Sequence, residues 1–139
     1  MKLVTFTVAE ANRALQEVRP RMEKLVKAKA EFDRLQTRLQ VLELAMAGAS
    51  DDNPDAREHD KLAQRRGQLA ESISQEIALV HQHGCVVKDL DRGLVDFHAL
   101  AGDRLVFLCW QVGEASVEHW HPLDAGFSAR QPLHQGELE

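Results

Sequence analysis

Gly84 divides this chain by period. Before it, apolar residues recur every three or four positions; after it they recur every two. The first spacing builds helices and the second builds strands. A chain that keeps the two in separate blocks is held to the α+β class, with helices packed to one side of an antiparallel sheet.

The helical block opens on Thr7-Val8-Ala9-Glu10, a capping box in which Thr7 and Glu10 exchange hydrogen bonds with each other's backbone. Phe6 and Ala11 stand at the positions of a weak hydrophobic staple. The seam then runs Ala11, Leu15, Val18, Met22, Leu25, Ala28, Phe32, Leu35, Leu39, Leu42 and Met46. It slips once, near Leu25 and Ala28, which predicts a local change of winding. Pro20 falls inside the pattern, where it kinks a helix or divides it. Gly48 is the expected stop. Ala49 to Asn53 reads as a polar loop, with Asn53 placed to cap a second helix and Pro54 at its first position. Leu62, Leu69, Ile73, Ile77 and Val80 form the second seam, and the helix is expected to end at His83 with Gly84 left-handed. His81 and His83 suit the negative end of the helix dipole. Two long helices and a short loop make an antiparallel hairpin over residues 7–83. A lone hairpin leaves its seams wet, so either the strands or a second subunit must cover them.

Residues 84–133 read as a small antiparallel β-meander of three to four strands. Cys85-Val86-Val87 begins the first strand and Leu94 to His98 forms the second. Arg104 to Trp110, dense in β-branched and aromatic residues, is the third. Ser116 to His121 is the fourth. Asp91-Arg92-Gly93, Ala101-Gly102-Asp103 and Gly113-Glu114-Ala115 supply the turns. The tail from Gln131, and above all residues 134–139, is expected to be loose.

Composition narrows the function classes. A chain of 139 residues that is 44% hydrophobic is one globular domain. A formal charge of −5 argues against nucleic acid as a partner of the whole surface, and acidic residues surround the one basic pair, Arg65-Arg66. No apolar run approaches the roughly 20 residues that cross a bilayer. The first residues lack the apolar core of a signal peptide, which makes a cytoplasmic location the expectation. There, Cys85 and Cys109 are expected as reduced, buried thiols.

Several stretches together resemble a known family. They are Phe6 to Asn12, Gly84 to Asp91, Gly93 to Phe97, Leu108-Cys109-Trp110, Gly113-Glu114, Trp120-His121, Gly126-Phe127 and Arg130. In that order they look like the bacterial family called domain of unknown function 2203. The resemblance covers nearly the whole chain and implies a compact bacterial cytosolic protein. It implies no activity. His119 departs from the pattern, which often has another residue before Trp120.

The candidate chemistry gathers in the strand block. His119 and His121 are two apart on a strand, so they share a face, and such a pair can bind a divalent metal such as zinc. With Asp96 they form the expected metal set, and Cys109, Asp124, His81 or His83 are further ligands on offer. Against this stands the plain reading of strand-edge histidines. Lys88, Asp89, Asp91, Asp96 and Glu114 gather at strand ends, where turn service by Asp91 is the plainer role. Asp96 lies between Val95 and Phe97 and needs a partner, for which Arg104 and Arg130 are the candidates. Cys109, His121 and an aspartate would make a nucleophilic triad, but Cys109 sits in mid-strand. Trp110, Glu114, Trp120 and Arg130, with His121 and Phe127, could line a pocket for a small molecule or anion; the alternative is a small sheet core.

The sequence therefore predicts a cytosolic binding or interaction protein, a homodimer built through its helices, with a metal or small-anion site in the strand module. The rival readings are a metal-dependent hydrolase using the same residues and a purely structural dimerisation module.

Overall fold

The structure is a computed structural model and describes residues 4–48 and 53–134. Two helices, α1 (Val8–Ala45) and α2 (Pro54–His81), precede five strands. These are β1 (Val86–Asp89), β2 (Leu94–Ala101), β3 (Arg104–Gln111), β4 (His119–Pro122) and β5 (Gln131–Pro132). A single turn of 3₁₀ helix, Phe127–Ala129, lies between the last two. All neighbours in the sheet are antiparallel, in the order β1-β2-β3-β4-β5.

The helix ends form as their residues dictate. Thr7 Oγ1 accepts from the Glu10 amide at 3.1 Å, and Glu10 Oε1 accepts from the Thr7 amide at 2.9 Å. Asn53 Oδ1 accepts from the Asp55 amide at 2.7 Å, with Pro54 opening α2. Pro20 does not divide α1, which runs unbroken through it over 38 residues, about 57 Å of helix. The proline ring is exposed, so it adds no bulk to the seam. α2 ends at His81, two residues short of the expected end, and Gly84 closes the turn at φ +92°. The Phe6 ring packs on the core that holds Ala11 and meets Phe97 edge-on at 5.2 Å, which draws the chain start onto the sheet. Most of the loop expected at 49–53 lies outside the described residues.

The strands cover the seam. Ala11, Leu15, Val18, Met22 and Leu25 of α1 share one core with Ile73 and Val80 of α2 and with Val95, Phe97, Ala99, Val106, Leu108 and Trp110 of the sheet. Leu39, Leu42 and Leu69, farther along the hairpin, are also buried.

Two strand expectations need correction. β4 begins at His119, not Ser116, because the preceding loop is bonded elsewhere. Val117 donates its amide to Asn12 Oδ1 at 2.7 Å, and Arg19 takes the carbonyls of Glu114 and Ala115 at 2.9 and 2.6 Å. The segment from Gln131 is not loose: Gln131 and Pro132 pair with Trp120 and His119, and the Leu133 amide donates to Glu118 O at 2.8 Å. Residues 135–139 of the expected tail lie outside the described residues.

Register then assigns the faces, because residues opposite one another on neighbouring strands point the same way and alternate residues point oppositely. Val95, Phe97, Leu108 and Trp110 face the helices. Asp96, His98, Phe107, Cys109, His119 and His121 face away from them. The outer face of the sheet thus carries the polar groups.

Candidate metal centre

On that outer face Asp96 of β2 pairs with Cys109 of β3, and Cys109 with His119 of β4. His121 lies one row along, opposite Phe107. Its ring reaches back so that Nε2 stands 2.9 Å from Asp96 Oδ2. Asp96 is only 2% exposed and His121 4%. One donor atom from each of Asp96, Cys109 and His121 lies within 4.8 Å of the other two.

The backbone sets the tautomer of His121. Nδ1 stands 2.8 Å from the carbonyl oxygen of Pro122. A carbonyl only accepts, so Nδ1 carries a proton and Nε2 is the nitrogen turned toward Asp96 and Cys109. Metal-binding histidines are commonly held this way, the second nitrogen donating to a backbone carbonyl.

Burial burdens the other two groups. It raises the Asp96 carboxyl above its ordinary range, against the opposing pull of His121, Cys109 and Lys88. Burial, helped by the neighbouring Asp96 carboxylate, pushes the Cys109 thiol up to about 12. Cys109 is therefore a neutral thiol at physiological pH, unsuited to direct nucleophilic attack. Asp96 Oδ1 is buried and meets no hydrogen-bond partner among the described residues beyond the weak donor of the neighbouring Cys109 thiol. A buried carboxylate oxygen served only by a thiol is costly. A cation bound between these donors would satisfy it and hold the thiol as thiolate.

The other expected residues are placed elsewhere. The partner of Asp96 is His121, not Arg104 or Arg130. Arg104 ends the β2–β3 turn opposite Ala101. Arg130 bonds through one nitrogen to Glu114 Oε2 and to His119 Nδ1, and its guanidinium lies 4.8 Å from the centre of the Phe127 ring. His119 thus spends Nδ1 as an acceptor from Arg130, which leaves the proton on Nε2. It shares a face with His121 but belongs to a separate network. Glu114 Oε1 accepts from the Gln111 amide at 2.7 Å, so this residue serves the β3–β4 turn. Trp110 is fully buried on the helix face and donates to Glu114 O at 3.1 Å. Trp120 packs against that same core. Trp110 and Trp120 therefore do not share a site with Asp96 and His121. Asp89, not Asp91, caps the turn before β2, accepting from the amides of Asp91 and Arg92 at 2.8 and 2.9 Å. Asp91 pairs with Lys29 at 2.9 Å. Asp124 is exposed and lines a different cleft. His81 accepts from the Val87 amide at 3.2 Å, and His83 lies 3.6 Å from Glu17.

The metal candidates open into a cleft of about 260 Å³, with Leu94, Phe107 and Phe127 in its walls and Lys88 and Arg92 beside them. The sequence reading did not single out Arg92 or Phe107. Their signal was the outer-face register, which becomes readable only once the turns are placed.

Fold and site together define an α+β protein with a helical hairpin on one face of a five-stranded meander and a buried Asp-Cys-His cluster on the other. No helix among the described residues is long and apolar enough to cross a membrane. The chain belongs to the family described as "Uncharacterized conserved protein (DUF2203)", whose model matches residues 4–133. No curated protein and no solved structure matches the chain.

Proposed function

We propose that this protein binds a divalent transition metal, zinc by donor type, through Asp96, Cys109 and His121. The observation that carries the reading is the His121 ring. Its Nδ1 is tied to the Pro122 carbonyl, and its Nε2 is aimed at the only buried aspartate among the described residues. A nitrogen, sulfur and oxygen set of this kind suits zinc, and softness at sulfur favours transition metals over magnesium or calcium. Three protein donors leave the fourth position of a tetrahedral ion to an outside ligand, the arrangement of metal sites that bind or activate small molecules. The bland alternative is a buried Asp-His pair that pins β2 to β4. It accounts for Oδ2 and leaves Oδ1 only the weak donor of the Cys109 thiol.

Cobalt(II) tests the reading, because a thiolate ligand gives cobalt an intense ultraviolet charge-transfer band. We expect that band on adding cobalt to the protein, and its loss in Cys109→Ser with the helical circular-dichroism signal retained. A cobalt spectrum identical in wild type and Cys109→Ser removes Cys109 from the site.

A further inference from the structure

We propose that the cleft beside this centre holds a small oxyanion, a carboxylate or phosphate group, with one oxygen on the metal and the others on Lys88 and Arg92. The inference rests on the metal reading for its first contact and on separate observations for the other two. Lys88 and Arg92 both line the cleft that contains Asp96, Cys109 and His121. Neither forms an ion pair with any described residue. Each instead lies over an aromatic ring: Lys88 Nζ is 4.6 Å from the centre of Phe107, and the Arg92 guanidinium is 5.1 Å from that of Phe127. The rings hold the two cations in place by their faces and leave their hydrogen-bond donors unspent. Asp89, the other acid in the wall, commits one oxygen to two backbone amides.

Lys88 and Arg92 are exposed, and Lys88 already attracts the Asp96 carboxylate; with no ion pair to fill their donors, two cations beside a metal ion favour an anion that joins them. Repulsion between neighbouring like charges is offset when an oxyanion bridges them. Arg92 can grip such a group with two parallel hydrogen bonds, and Lys88 adds a point charge. The cleft, at about 260 Å³, falls below the range of about 300–1,000 Å³ typical of drug-sized ligands. It fits an anion of few heavy atoms rather than a nucleotide.

Isothermal titration in two stages tests this. Zinc is first titrated into the wild type, Lys88→Gln and Arg92→Gln. Inorganic phosphate or acetate is then titrated into each zinc-loaded protein freed of excess metal. We expect both variants to bind zinc as tightly as the wild type or more tightly, since each loses a nearby positive charge. We expect each to lose at least tenfold in affinity for the anion. Stronger binding of phosphate points to a phosphoryl ligand, and stronger binding of acetate to a carboxylic acid. Zinc binding with no anion binding, or with anion affinity unchanged in both variants, overturns the oxyanion site and leaves the metal reading intact. Failure of zinc to bind the wild type overturns the metal reading and, with it, the bridged anion; titration of the metal-free protein then reports only on Lys88 and Arg92.

Discussion

Individual residues decide how the sheet seats against the helices, and Gly93 is the clearest case. It sits at φ +72° in the turn between β1 and β2. A Cβ there would stand 2.5 Å from Val112 Cγ2 and 2.9 Å from Val26 Cγ2. Its own carbonyl accepts from the Val112 amide at 2.9 Å. Gly93→Ala combines left-handed strain with a clash against two side chains, so we expect it to destabilise the fold by about 2–4 kcal/mol. Urea unfolding with an unchanged m-value checks this, and a loss below about 0.5 kcal/mol would mean that Val26 and Val112 yield freely. Asp96 and His121 differ from Gly93 in kind. They are held by each other, and the cost of their burial is what a bound cation would relieve under the proposed metal reading.

At the scale of elements, the capping box offers a prediction with a sign. The Glu10 carboxyl is held below its ordinary value of 4.5, first by its hydrogen bond with the Thr7 backbone. A depressed folded value means the contribution is present above 4.5 and is lost as pH falls through the folded value. Thr7→Ala should cost about 1 kcal/mol near neutrality. Glu10→Gln should flatten the acid limb of a stability-against-pH curve recorded by thermal melts; an unchanged acid limb would show that the box does not titrate with folding. Helix starts of this kind were legible in the sequence because caps and periodicity are local. Thr7, Asn53, Pro54 and Gly84 all act where the residues place them. The late start of β4 and the pairing of Gln131 and Pro132 were not legible, because bonds to distant residues decide them. Asn12 and Arg19 capture the loop before β4 from 105 and 95 positions away. The site was half legible. Asp96 announced itself as a charge in an apolar strand, but its partner depended on register. Counted back from the Gly102-Asp103 turn, register places Asp96 opposite Cys109. The claim of Arg130 on His119 left no trace in the spacing of the two histidines.

For the whole molecule, the division of labour follows the two sheet faces. The helix-facing side carries the apolar core and makes the fold. The outer side carries Asp96, Cys109, His121, Lys88 and Arg92 and is free to serve a ligand. Because the strands cover much of the seam, a second subunit is not required to keep it dry. We propose self-association through the distal hairpin, where Val41 is 49% and Leu44 81% exposed. Sedimentation at micromolar concentration should give a dimer that Leu44→Glu converts to monomer; a wild-type monomer at those concentrations would refute it. The metal centre is the central claim, and it is tested most directly by counting zinc. Native mass spectrometry with elemental analysis, after equilibration with zinc and removal of excess, should show about one zinc per chain. That zinc should be lost in both His121→Ala and Cys109→Ser while circular dichroism remains that of the folded protein. A folded wild type that retains no zinc, or folded variants that both keep it, would contradict the account.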